Sequence, residues 1–400
     1  MIDLLEGVRI LDFTHVHAGP LCTYQLALMG AEVIKIESTT GGDQMRAGPS
    51  LEPGMAPTFL GQNANKRSVA IDLKHEEGLA IVHRLVKTVD VVIHNMRPGT
   101  PDRLGIGYET VKALNPSIIY CAISGYGQSG PLSDRPAFDH LMQGESGIFM
   151  STGLVDQPVR VGFAVSDAST AVIASSAING ALVRKGRTGE GAFLDVSMLE
   201  SSMTVMGLNY YNFLATGRER PRVGPNPLAQ AGSVGTFETS DNRLLLVNGN
   251  NHRLFIRLAE ALKRDDLLSN DKFSTEDAAR KNWVELRQIF ADIFKANTAK
   301  HWDSILSAAG VPVGFAKTPE EVIEHPQLAH RKSLTELEHV AGTADGKLTF
   351  LNAGFSVNDQ PTAPDQAPQR LGESTQKVLT ELGLSDLEIE HLYEQLIIRY

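Results

Sequence analysis

Val8-Arg-Ile-Leu-Asp-Phe13, then Thr14-His-Val-His-Ala-Gly-Pro20, then Leu21 to Gly30, then Glu32-Val-Ile-Lys-Ile-Glu37. An apolar run is followed by a polar turn, a helical stretch closed by glycine, and a second apolar run. That order predicts a strand, a helix over Leu21–Met29 and a strand, hence a parallel pair with a right-handed crossover. An acid at the end of the second strand, Glu37, invites a dinucleotide ribose. The turn lacks Gly-x-Gly-x-x-Gly, so a dehydrogenase is set aside.

The alternation continues outward. Val69–Leu73, Asp90–His94 and Ile118–Ile123 read as strands. Between them, Glu76–Thr88 carries Leu79, Val82, Leu85 and Val86 at helical spacing, and Tyr108–Leu114 is a second helix. The fold expected is α/β: a doubly wound, mostly parallel, Rossmann-like large domain. Ligands of such sheets bind beyond the carboxyl ends of the strands, where the loops 14–20, 38–48, 95–103 and 124–135 lie. Gly125-Tyr-Gly-Gln-Ser-Gly-Pro131 is expected to be mobile or tightly turned. Gly191–Ser197 reads as a strand and Met198–Leu214 as a helix.

Pro158–Arg187 is the stretch with chemical interest. It predicts a β-rich run, Val159–Val165, and then a helix rich in small residues, with Asp167 at the junction. A carboxylate there meets unpaired N–H groups and the positive end of the helix dipole, which favours the ionised, nucleophilic form. The plain alternative is a helix cap, since Asp is a preferred N-cap residue.

Near Gly217 the character changes. Arg218–Pro227 reads as a linker, followed by a hairpin around Asp241-Asn242, helices over about 254–262, 283–294 and 299–309, and a strand at Val311–Ala316. Residues 217–329 are therefore expected to form a linker and a smaller α+β domain. Residues 1–216 and 330–400 are expected to make one discontinuous large domain.

Composition bounds the function. The 400 residues carry 37 basic and 47 acidic side chains, a net charge of −10, with 42% hydrophobic content. That suits a soluble globular protein and argues against nucleic acid or an anionic membrane surface as partner. Cys22 and Cys121 have no metal or disulfide spacing. The start, Met-Ile-Asp-Leu-Leu-Glu, lacks a signal-peptide pattern, and no apolar run spans a bilayer. A cytoplasmic location is expected.

His15 and His17 could be half a metal site, but no cluster accompanies them, so no metal is expected. Amides of their loop are expected to face a ligand oxygen instead. Lys66, Arg67, Arg97 and Arg103 follow sheet elements. They are either solvated surface or the lining of a phosphate-bearing ligand's site. Asp139 and Asp167 each open a helix, as caps or as an acid/base pair.

Taken together, these segments resemble the class III CoA-transferases, the formyl-CoA and carnitine CoA-transferase family that also contains α-methylacyl-CoA racemase. The likeness rests on Leu11–Pro20, Gly30–Glu37, Gly42-Asp43, Asn65–Ser68, Asn95-Met-Arg-Pro-Gly99, Asp102–Gly105, Gly125–Pro131, the Asp167 stretch, Gly310–Gly314 and Leu371-Gly-Glu. It implies transfer of CoA from an acyl-CoA to a free carboxylic acid through aspartyl anhydride and aspartyl-CoA thioester intermediates on Asp167, and the basic residues available suit a dicarboxylate as that acid. It assigns His17 and Asp139 to the catalytic site, and Val16, Lys66, Asn95, Arg97, Arg103 and Leu104 to CoA. The same resemblance implies that CoA enters as substrate, that no cofactor is tightly bound and that the chain forms an interlocked homodimer.

Two departures from the family pattern stand out. Ser38 takes the place of an arginine that meets CoA in some members. Leu228–Gly235 has fewer glycines than the loop of the formyl-CoA enzyme, which speaks against an oxalate-type substrate. The alternatives are the racemase, which needs a second base where Phe138 stands, and a catalytically inert CoA-binding protein.

Overall fold

The structure is a computed structural model and describes residues 2–224 and 231–400. Six strands lie parallel: β1 (Arg9–Phe13), β2 (Glu32–Glu37), β3 (Lys66–Ile71), β4 (Val91–His94), β5 (Ile119–Ser124) and β6 (Ala192–Ser197). Their order is β3-β2-β1-β4-β5-β6, and a short C-terminal strand, Ile398–Arg399, joins β3 antiparallel. The expected doubly wound sheet is present. Its order reverses between β1 and β4, so the loops after those two strands diverge and leave a crevice.

Alternation along each strand builds two cores. Leu11, Ile34, Val69, Val92 and Tyr120 face one way, against the helices Glu76–Val86, Thr375–Glu381 and Asp386–Glu394. Ile10, Val33, Val91, Ile119 and Cys121 face the other, against Ala18–Leu28 and Val165–Thr188. Each such side chain contributes about 1.5–3 kcal/mol of apolar transfer. The small residues of Val165–Thr188 have a packing reason. Ala171, Ala174 and Ala181 are buried in the same cluster as Ala18, Cys22 and Ala27, and methyl-sized contacts let the two helices approach closely.

Contacts divide the chain into two compact units. One contains Met1–Ile148, Val161–Tyr211 and Pro326–Tyr400, and the other Phe149–Arg160 and Asn212–His325. The second unit holds a three-stranded antiparallel sheet of β7 (Val234–Glu238), β8 (Leu244–Asn248) and β9 (Val313–Phe315). Phe237, Phe255, Phe290, Phe294 and Trp302 form its core, with the indole N–H donating to Phe294 O at 2.9 Å. Residues 225–230, which include part of the expected linker and of the glycine-poor loop, lie outside the described residues.

Local readings needed correction. Val159–Val165 is not a strand: the helix already begins at Val165, and the Val161 amide donates to the Gln143 side chain rather than to a ladder. Met198–Leu214 is two helices, Met198–Val205 and Gly207–Thr216. For the Gly125–Pro131 loop the tightly turned reading holds, with Gly127 N on Ser124 Oγ and Gln128 N on Asp195. No helix among the described residues is long and apolar enough to cross a membrane.

Candidate active site

A cleft of about 500 Å³ opens at the switch point. Its wall takes His15–Ala18 from beyond β1, Gly42 and Gln44 from beyond β2, Asn95–Pro98 from beyond β4, and Ile123–Gly125 from β5 and its loop. Asp139 and Asp167, on two other helices, complete it.

The first loop is held from beneath by buried charge. Asp12 accepts from Thr14 N and Oγ1 and from Thr23 Oγ1, and faces Lys66 Nζ at 3.5 Å. Lys66 also donates to Pro20 O at 2.9 Å. Lys35 donates to Thr14 O and pairs with Asp43 at 3.0 Å. Burial works against the charge of Asp12, but both lysines and the two hydroxyls outweigh it and hold its carboxyl below the usual range. Lys66 is also lowered, to about 8, because burial outweighs the attraction of Asp12. Beyond β2, Arg46 grips Glu37 with two nitrogens, at 2.8 and 2.7 Å, and lies over the Phe59 ring.

This frame bends the loop. Val16 has φ of +72°, a rare and strained state for a β-branched residue. Two clamps keep it there: Val16 N donates to Asp43 Oδ1 at 3.0 Å, and Asn95 both accepts from His15 N and donates to His15 O. The expectation that these amides face a ligand oxygen is therefore corrected for His15 and Val16, whose N–H groups are already used. His17 Nδ1 lies 2.8 Å from Gln62 Oε1, an acceptor, which places the ring proton on Nδ1.

Asp167 stands in the first turn of Val165–Thr188. The helix start does not keep its carboxyl at the ordinary value. Burial raises it to about 6, with His17 pulling down and Asp139 pushing up. At neutral pH the ionised form still predominates. Ala164, the N-cap, has no side chain able to cap this helix, and Asp139 does so from outside. Asp139 Oδ1 accepts from Ser166 N at 2.8 Å and Asp167 N at 3.2 Å, while Oδ2 accepts from Gln143 at 2.7 Å.

The expected site residues divide. Val16, His17, Asn95, Arg97, Asp139 and Asp167 share the cleft wall. Lys66 does not: it is 3% exposed and committed to Asp12 and Pro20. Arg103 is off the wall, with its guanidinium on Thr100 Oγ1, and Leu104 packs on the main core. Arg67 is spent on Glu32 and Glu381. The wall also holds Arg135, which pairs with Glu145, and the exposed Phe138. Sequence reasoning missed Arg135, although it lies in a loop after β5 where ligand contacts are expected. His140 is not on the wall. Among the described residues no group of three His, Cys, Asp or Glu is placed to hold a metal ion.

The pattern that defines CoA-transferase family III matches residues 5–375. The chain belongs to that family. Among family III relatives, succinate–glutarate CoA-transferase of Agrobacterium fabrum (strain C58) is 35% identical over 391 residues, 94% of this chain and 95% of the relative. Human succinyl-CoA:glutarate CoA-transferase is 33% identical over 95% of this chain and 86% of its own. A crystal structure of a CAIB/BAIF family protein from Brucella suis superposes with a TM-score of 0.84 at 30% identity, covering 94% of this chain and 99% of that one.

Proposed function

We propose that this family III enzyme moves CoA from a short acyl-CoA to a short carboxylic acid through Asp167, with succinyl-CoA and a dicarboxylate as the first pair to test. The observation that carries this reading is Asp167 itself, a partly desolvated carboxylate on the wall of the switch-point cleft. A carboxylate of raised basicity and thin solvation is a stronger nucleophile than one in water. The substrate pair follows the names of the relatives.

In this mechanism an Asp167 oxygen attacks the thioester carbonyl and CoA thiolate leaves, giving a mixed anhydride. The thiolate attacks the aspartyl carbonyl, releasing the donor acid and leaving an aspartyl-CoA thioester. The acceptor carboxylate attacks that thioester, and the thiolate leaves again. It then attacks the acceptor's carbonyl of the new anhydride, forming acyl-CoA and restoring Asp167. No net proton moves, which fits a wall with no second base at Phe138. Arg97 is exposed, and no side-chain hydrogen bond or ion pair engages its guanidinium among the described residues, so it is the cation assigned to the phosphates of CoA.

The test is peptide mass spectrometry after mixing the enzyme with succinyl-, acetyl- or formyl-CoA, with and without hydroxylamine. A CoA adduct or hydroxamate on Asp167 is expected. No adduct with any donor, together with exchange of the α-proton of a 2-methylacyl-CoA in D2O, would replace transferase with racemase. Single-turnover adduct formation should also follow the ionisation of Asp167. It should be flat at higher pH and fall about tenfold per unit below about pH 6. A rate independent of pH between 5 and 7 would contradict that assignment.

We also propose a homodimer. Leu208 and Tyr211 are 76% and 71% exposed, and Val172 is 62% exposed, more apolar surface than single scattered residues need explain. Sedimentation velocity should give about twice the 43.4 kDa chain mass. A single species at chain mass would refute the dimer.

A further inference from the structure

Gln143 has no part in the chemistry above, yet it is fully buried in the first unit, on the same helix as Asp139 and one turn on. Its amide is fully occupied. Nε2 donates to Asp139 Oδ2 at 2.7 Å and to Phe163 O at 3.2 Å, and Oε1 accepts from Val161 N at 2.9 Å. Donors face acceptors at every contact, so the amide cannot flip without breaking all three bonds.

Two of those bonds fix the segment 161–163 that leads into the helix of Asp167. The third turns Asp139 so that its other oxygen meets the Ser166 and Asp167 amides. Three elements thus converge on one side chain: the helix Asp139–Glu145, the incoming loop, and the first turn of Val165–Thr188. Because Ala164 cannot cap that turn, its amides depend on the orientation of Asp139.

We propose that Gln143 is a positioning residue: it holds the Asp139 carboxylate on the first amides of the nucleophile's helix and so sets where the Asp167 carboxylate stands in the cleft. This rests on Asp167 being the nucleophile. Gln143 touches no substrate and acts only through Asp139 and the 161–163 segment. A displacement of the reacting oxygen by about 1 Å costs about 10²-fold in rate with little change in substrate binding. A merely structural glutamine would lower the yield of folded protein and leave the rate per folded molecule alone.

The experiment measures the single-turnover rate of Asp167 acylation, and KM for succinyl-CoA, in four proteins. They are the wild type, Gln143→Leu, Gln143→Glu and the double variant Asp139→Asn/Gln143→Glu. In the double variant the new amide still accepts from the helix and donates to the new carboxylate, which still accepts from Val161 N but no longer supplies a donor to Phe163 O. Gln143→Leu should lose about 10²-fold in rate with KM within about threefold. Gln143→Glu, which sets two carboxylates against each other, should be similarly slow, and the double variant, which relieves that clash, should be at least about tenfold faster than Gln143→Glu.

A Gln143→Leu rate within about twofold of wild type, or a double variant no faster than Gln143→Glu, would overturn the proposal. Should Gln143→Leu fail to fold, the comparison of Gln143→Glu with the double variant decides alone. Absence of any adduct in the wild type would overturn the nucleophile assignment and this inference with it. Adducts formed equally well by every variant would overturn the inference only.

Discussion

Replacing Asp167 by alanine should abolish the covalent intermediate and lower CoA transfer by about 10⁴-fold or more, the scale on which removal of a covalent nucleophile acts. Stability should not fall. At pH 7 the folded protein bears a carboxylate that burial disfavours, with its pKa at about 6 rather than 3.8. Between those two values the folded chain keeps a proton that the unfolded chain has released. The contribution of this group to stability therefore falls as pH rises from about 3.8 to about 6, and stays low above that. Asp167→Asn and Asp167→Ala remove that liability and lose a favourable charge at a helix start, worth about 0.3–1 kcal/mol. The liability exceeds that charge term, so thermal unfolding at pH 7 should place both variants at or above the stability of the wild type. Transfer activity surviving in Asp167→Ala would remove the carboxylate from the mechanism. A large loss of stability would mean that Asp167 is held for the helix rather than for chemistry, the cap reading that its position also allows.

Lys66→Met should be the most destabilising single change among the residues once expected on the ligand, costing about 3–5 kcal/mol. The reason is what it leaves behind: Asp12, with no solvent exposure, loses a cation, and Pro20 O loses its donor. Denaturant unfolding measures this directly. The double variant Asp12→Asn/Lys66→Met removes both charges and should recover more than half of the loss, because an orphaned buried charge costs more than an absent pair. If the double variant were as unstable as the sum of the two single ones, the pair would not be coupled. The same frame sets the acid limit of the fold. Burial raises the Glu37 carboxyl, but Arg46, Lys35 and Ser68 prevail and hold it at about 2, below its ordinary 4.5. Stability from that group is complete above pH 4.5 and is lost as pH falls through about 2, and Asp12 shifts in the same direction. In Lys66→Met the acid transition should begin at higher pH, since Asp12 then keeps less of the positive charge that lowers its pKa.

The parallel sheet and the loops that form the cleft were legible in the chain, because period and punctuation are local signals, whereas the reversal of strand order after β1 was not. Val8–Phe13 and Glu32–Glu37 are apolar runs that only a strand buried on both faces uses fully, and the helix between them requires a crossover. The same locality placed Asp167 at a helix start. The helix Asp386–Glu394, absent from the sequence reading, carries a local signal of the same kind in its Ser385/Glu388 capping box.

Charge was not legible in the same way. Lys66, Arg97 and Arg103 look alike in sequence, each a basic residue near a strand or loop end. Only the tertiary structure shows that Lys66 is neutralised by Asp12 from a strand two places away in the sheet, while Arg97 reaches the cleft with its guanidinium unengaged. Asp139 and Asp167 were a matched pair of helix-opening acids in the chain. In space one caps the helix of the other, and the desolvation that moves Asp167 to about 6 comes from segments far apart in sequence. Hydrophobic period is written residue by residue. A side chain's charge state, partner and chemical role are sums over everything within a few ångströms, and that neighbourhood exists only once the chain has folded.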